Sequence, residues 1–200
     1  TCIDEAEKLG MRAWLYDEDR WPSGAAGGLV TKNPKYRARS IVMKENGSAN
    51  SDTVALFAAE MENGKIGSYR KIKAGEKISS KEKILEFHIK IQDESSWYNN
   101  QTYLDTLSHE AVGEFIRVTH EAYRKNIASK FGKSVPGIFT DEPNFISTFD
   151  EDENGVRVAW TAKLPEIFKK RYGYDIMDCL PEIFLDMSNS GFSKVRWNYF

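Results

Sequence analysis

The run of apolar and polar positions divides the chain into distinct textures. Residues 2–10 read as a helix closed by Gly10, the residue type that most easily takes the left-handed conformation after a helix. Met11 to Tyr16 follows as a short apolar run, the pattern of a buried strand. Asp17-Glu18-Asp19-Arg20 comes at once, and Trp21-Pro22-Ser23-Gly24 with Gly27-Gly28 makes a loop. Helix, glycine, apolar strand and charged loop, in that order, predict an α/β unit.

From about Ser40 to Ile91 the texture turns to strands. Ile41-Val42-Met43, Thr53 to Met61, Tyr69 to Ile72 and Ile84 to Ile91 are strand-like, and Glu62-Asn63-Gly64-Lys65 offers a turn between two of them. Phe87, Ile89 and Ile91 alternate with His88 and Lys90, which predicts a half-buried strand. The region reads as an antiparallel β insertion, with Lys71 to Lys83 a solvated connector.

The α/β order then returns. Ser108 is a good N-cap with Glu110 in the first turn, and Val112, Phe115, Ile116, Thr119 and Tyr123 fall on one helical stripe that ends by Gly132. Val135 to Thr140 is a short strand with Asp141-Glu142-Pro143 at its carboxyl end. Helical stretches are expected at about 161–172 and 181–187. Leu-Pro-Glu-Ile-Phe occurs at 164–168 and again at 180–184, and proline in a first turn explains each copy locally.

Composition narrows the function classes. A chain of 200 residues with 40% hydrophobic and 29% charged residues can bury a core and is globular rather than disordered. Net charge is −2, so no global field favours nucleic acid. No stretch approaches the run of about 20 apolar residues that a membrane helix needs. Cys2 and Cys179 match neither a metal spacing nor a disulfide framework, so no metal and no cofactor are expected. The 5 Trp, 9 Tyr and 11 Phe exceed what a small core requires. Sugar clefts present such rings, and cores absorb them too. Thr1 opens inside a helix and Phe200 closes an apolar helix-like pattern, so the chain is expected to be an internal piece of a longer protein.

The candidate chemistry sits where strands end. In parallel α/β barrels the active site is assembled from loops at the carboxyl ends of the strands. Glycoside hydrolysis needs one carboxylic acid to protonate the leaving oxygen and a second carboxylate to attack or to activate water. Glu142, flanked by Phe139 and Pro143, is the candidate acid/base, because partial desolvation would raise its pKa toward the acid role. Asp141 would orient it or bind a sugar hydroxyl. Asp17, Glu18, Asp19 and Arg20 are candidate sugar ligands, with Trp21 a stacking platform. Asn99, Tyr103 and Asp105 form a third loop suited to hydroxyls. Bland alternatives stand beside each: an Asp-Glu-Pro turn, a self-paired acidic loop, a loop-anchoring Trp21, and an Asp105 that braces the helix from Ser108. His120 reads as a helix-surface or core histidine, with His88 and His109 weaker candidates.

These residues carry a resemblance. Trp14-Leu15-Tyr16-Asp17-Glu18-Asp19-Arg20-Trp21-Pro22-Ser23-Gly24, Tyr103-Leu104-Asp105-Thr106-Leu107 leading into Thr119-His120-Glu121-Ala122-Tyr123, and Gly137-Ile138-Phe139-Thr140-Asp141-Glu142-Pro143 resemble bacterial barrel glycoside hydrolases related to the α-L-rhamnosidase type. The resemblance covers most of 1–45 and 92–200. It implies an α/β fold, part of a (β/α)8 TIM-type barrel with an antiparallel β insertion, inside a multidomain protein. Glu142 would match the fourth-strand acid/base, although Asp141 stands where many related barrels carry Asn. The partner carboxylate is expected beyond Phe200, so the isolated piece is expected to be inactive.

The resulting division is one truncated domain: a barrel strand and helix in 1–45, a β-rich insertion in 46–91, and barrel helices with the Asp141-Glu142 strand in 92–200. The expected function is cleavage of an oligosaccharide or glycoside, with the rest of the barrel and accessory domains as partners. A non-catalytic carbohydrate-binding or structural α/β module is the alternative.

Overall fold

Strand alternation, more than the helices, sets the architecture. The structure is a computed structural model and describes residues 1–145, 150–152, 155–189 and 191–200. In chain order its elements are α1 (Cys2–Lys8), β1 (Leu15–Tyr16), β2 (Arg39–Glu45), β3 (Thr53–Glu62), β4 (Lys65–Ile72), β5 (Glu82–Ile91), α2 (His109–Val118), α3 (His120–Ile127), β6 (Ile138–Phe139), β7 (Asp150–Asp152), β8 (Gly155–Trp160), α4 (Leu164–Tyr172), α5 (Pro181–Phe184) and α6 (Lys194–Tyr199), with short 3-10 turns between them. The chain forms two compact units. One comprises Thr1–Ala38 and Gln92–Phe145, the other Arg39–Ile91 and Ile146–Phe200.

The second unit is built on a six-stranded sheet in the order β4-β3-β5-β2-β8-β7, and every neighbouring pair in it is antiparallel. Asn63 and Gly64, both at positive φ, close the β3–β4 hairpin. Alternate residues face opposite sides of a strand. Ile41 and Met43, Phe57 and Ala59, Leu85 and Phe87, and Val158 and Trp160 therefore meet on one face and pack with Phe168, Ile176, Leu180, Ile183, Phe184 and Val195. Phe57 and Phe87 are fully buried with ring centroids 5.6 Å apart, edge to face. Burying rings of this size stabilises the fold by about 1.5–3 kcal/mol each.

The first unit is smaller in regular structure. Its only named strands, β1 and β6, pair in parallel, Leu15 opposite Ile138 and Tyr16 opposite Phe139. Thr1 and Asp4 form a capping box at the start of α1. The single helical stripe expected after Ser108 is two helices. Thr119 breaks it, with φ −109° and ψ −72°, and its hydroxyl donates to the Phe115 carbonyl at 2.6 Å. Such back-bonding bends helices.

The (β/α)8 TIM-type barrel expectation is corrected by this topology. A barrel needs parallel strands joined by crossover helices. Among the described residues the large sheet is antiparallel throughout, and the one parallel strand pair has two residues in each strand. The antiparallel strands expected between Ser40 and Ile91 are present, and β7 and β8 from later in the chain join them in one sheet.

Candidate functional site

The parallel pair β1–β6 delivers polar side chains to its carboxyl ends, and strand alternation sorts them onto two faces. Tyr16, Glu18, Phe139 and Asp141 share one face; Leu15, Asp17, Ile138 and Thr140 share the other. The contacts follow that parity.

On the first face the Tyr16 hydroxyl lies 2.5 Å from Asp141 Oδ2 and 2.7 Å from Glu18 Oε2. One phenol proton can be donated to only one of them at a time. Because both acceptor oxygens touch one hydroxyl, they lie within about 5 Å of each other. Hydrogen bonding to Asp141, then to Glu18, pushes the Tyr16 phenol well above its ordinary pKa. The Tyr16 and Phe139 rings adjoin at 5.5 Å between centroids. Asp141 is tied further: its N–H donates to Ser23 Oγ at 2.9 Å, and the Ser23 N–H donates to the Asp141 carbonyl at 2.9 Å.

Glu142 follows with φ 43°, a left-handed backbone that is strained for a non-glycine residue. It is exposed, not partly desolvated by Phe139 and Pro143 as the sequence predicts, and its carboxylate has no partner among the described residues. A cavity of about 480 Å³ is lined by Tyr16, Asp17, Glu18 and Asp19, with Leu29 and Tyr123 among its other walls; Glu142 is not among its lining residues.

On the second face Asp17 is buried. Its Oδ2 accepts from His120 Nε2 at 2.7 Å and from the Thr140 hydroxyl at 2.8 Å, while its Oδ1 has no hydrogen-bond partner among the described residues. Asp19 and Arg20 are exposed and 3.9 Å apart. Trp21 is exposed, and its carbonyl accepts from the Trp97 indole N–H at 2.7 Å. The third predicted loop braces the structure. Tyr103 is buried and its hydroxyl donates to the Ser23 carbonyl at 2.7 Å; Asn99 donates to the Gly27 carbonyl at 2.9 Å. Asp105 is buried, and its Oδ1 accepts from the Leu107 N–H at 3.1 Å.

The glycines of the 20–28 loop explain that seam. A Cβ on Gly24 would sit 2.9 Å from the Tyr103 hydroxyl, and one on Gly28 would sit 2.6 Å from the Tyr98 carbonyl, both from positive φ. Of the predicted site residues, then, Glu18 and Asp141 meet through one side chain. Asp17 lies on the opposite face, and Tyr103, Asn99 and Asp105 hold backbone. Sequence reasoning missed Tyr16, Ser23, Thr140 and His120. Parity along the two strands was the available signal for Tyr16 and Thr140; none pointed to His120, which the Thr119 break re-aims.

No family model, no curated protein and no solved structure matches this chain.

Proposed function

We propose that this chain contributes a carboxylate site that cleaves a glycoside, with the Glu18–Tyr16–Asp141 group at its centre and Glu142 as the neighbouring proton donor. The observation that supports this reading is the pair of carboxyl groups held on one phenol at the ends of adjacent parallel strands. Glycoside hydrolysis uses a pair of neighbouring carboxyl groups flanking the scissile bond. Tyr16 can donate its proton to only one of the two at a time, so the two carboxyl groups differ in their hydrogen bonding. The exposed rings of Tyr16, Trp21, Trp97 and Phe139 supply apolar faces for a pyranose. The left-handed Glu142 supports the same reading, since strained residues gather at functional sites.

The exposure of Glu142 favours a second reading, a module that binds carbohydrate without cleaving it. Glu142→Gln and Asp141→Asn in the full-length protein separate the two. A hydrolase loses about 10²–10⁴-fold in kcat on an aryl glycoside in each variant. A binder keeps its affinity for sugar, and turnover that is equal in all three proteins ends the catalytic reading.

A further inference from the structure

The face of the parallel pair that the proposed carboxyl site does not use leads into a second cavity. It has a volume of about 310 Å³ and is lined by Leu15, Tyr123, Phe131, Val135, Pro136 and Ile138 together with His120. Two of its lining side chains carry polar groups. The Tyr123 hydroxyl is engaged, donating to the Tyr16 carbonyl at 2.9 Å. His120 is half engaged: Nε2 is committed to Asp17, and Nδ1 has no hydrogen-bond partner among the described residues.

The commitment of Nε2 decides what Nδ1 offers. An ionised carboxylate only accepts hydrogen bonds, so the Asp17 contact holds the proton on Nε2. Thr140 adds a second donor to the same oxygen and fixes the carboxylate, and the Phe115 ring meets the imidazole edge to face at 5.5 Å between centroids. With Nε2 held in this way, the neutral form of the imidazole is the one that presents Nδ1 as an acceptor in a set direction. The cavity exceeds the roughly 150 Å³ in which a dry apolar cavity holds benzene.

We infer that this cavity is a binding site for a small aromatic hydroxyl compound, whose ring fills the apolar volume and whose O–H donates to His120 Nδ1. The inference does not depend on the proposed glycosidase activity, because none of the residues it uses belongs to the Glu18–Tyr16–Asp141 group.

Phenol is the probe, with toluene and benzoate as ring-matched controls. Imidazole 15N resonances of the full-length protein are followed during each titration, and affinities are measured by calorimetry. Phenol is expected to shift the Nδ1 resonance of His120, which starts as an unprotonated nitrogen, while toluene leaves it in place. In His120→Phe, which keeps a ring but removes the acceptor, the ratio of phenol to toluene affinity is expected to fall about fivefold or more, the worth of one neutral hydrogen bond. The resonance experiment needs no variant, so a poorly folded His120→Phe does not rescue the idea. A proton found on Nδ1, an Nδ1 shift with toluene equal to that with phenol, a preference for benzoate, or no binding of phenol each overturns it.

Discussion

At the scale of single residues, a hydroxyl or carboxyl acts according to what its neighbours leave unsatisfied. Tyr103 shows this on the structural side. It is buried, its hydroxyl donates to the Ser23 carbonyl, and burial pushes its phenol up to about 12. The unfolded chain titrates this group near 10. Below about pH 10 both states hold the proton and the stabilisation is complete. As pH rises from about 10 to about 12 the unfolded chain loses the proton first and stability falls. Tyr103→Phe removes that linkage and also the hydrogen bond, at about 1 kcal/mol. Urea midpoints measured across this alkaline window should therefore show the native protein's advantage over the variant shrinking. A constant difference between the two would mean that the Tyr103 phenol titrates alike in both states. Such roles were poorly legible: Tyr103, Asn99 and Asp105 have the chemistry of sugar ligands, and only the fold shows that the backbone of the 20–28 loop and the turn at Leu107 engage them.

At the scale of elements, local periodicity told much and pairing told the rest. Alternation in Phe87, Ile89 and Ile91 marked β5, and Asn63-Gly64 marked the hairpin turn. Periodicity also placed a helix after Ser108, yet it reads a face and not a continuous axis, so the break at Thr119 was invisible and with it the aim of His120. What no local signal carried was that β8 pairs with β2 across more than a hundred residues of chain. The barrel expectation was what the resemblance implied, beside a helix–strand order at the two ends of the sequence, and neither says which strands meet. The stripe itself makes a graded prediction. Phe87 is fully buried in the core of its unit, whereas Ile91, on the same stripe, is 45% exposed. Phe87→Ala should cost about 3–5 kcal/mol in unfolding free energy. Ile91→Ala should cost under about 1 kcal/mol, as surface changes do. Denaturant titration of both variants gives the comparison, and equal losses would mean that burial along β5 is not what holds the sheet.

At the scale of the whole chain, the excursion from Arg39 to Ile91 leaves the first unit and returns to it at one rung. Arg39 and Ile91 are register partners, and the Gln92 N–H donates to the Ala38 carbonyl at 2.9 Å. The first unit holds its own ends there: the Ala38 N–H donates to the Tyr103 carbonyl at 3.0 Å, and the Tyr103 N–H donates to the Gln92 side chain at 3.1 Å. A hairpin turn spans such a gap, since two residues of the Asn-Gly type join antiparallel neighbours directly. Both faces of the β1–β6 pair, the seam of the 20–28 loop and the His120 cavity lie inside this unit. A chain of residues 1–38 joined by Asn-Gly to residues 92–145 should therefore fold and keep the Nε2-protonated state of His120. Dispersed amide resonances and an unchanged His120 nitrogen pattern are the expected readout. Collapse to an unfolded spectrum would show that the chemistry-bearing unit takes its stability from the antiparallel sheet, and that the division of the chain is one of contacts rather than of folding.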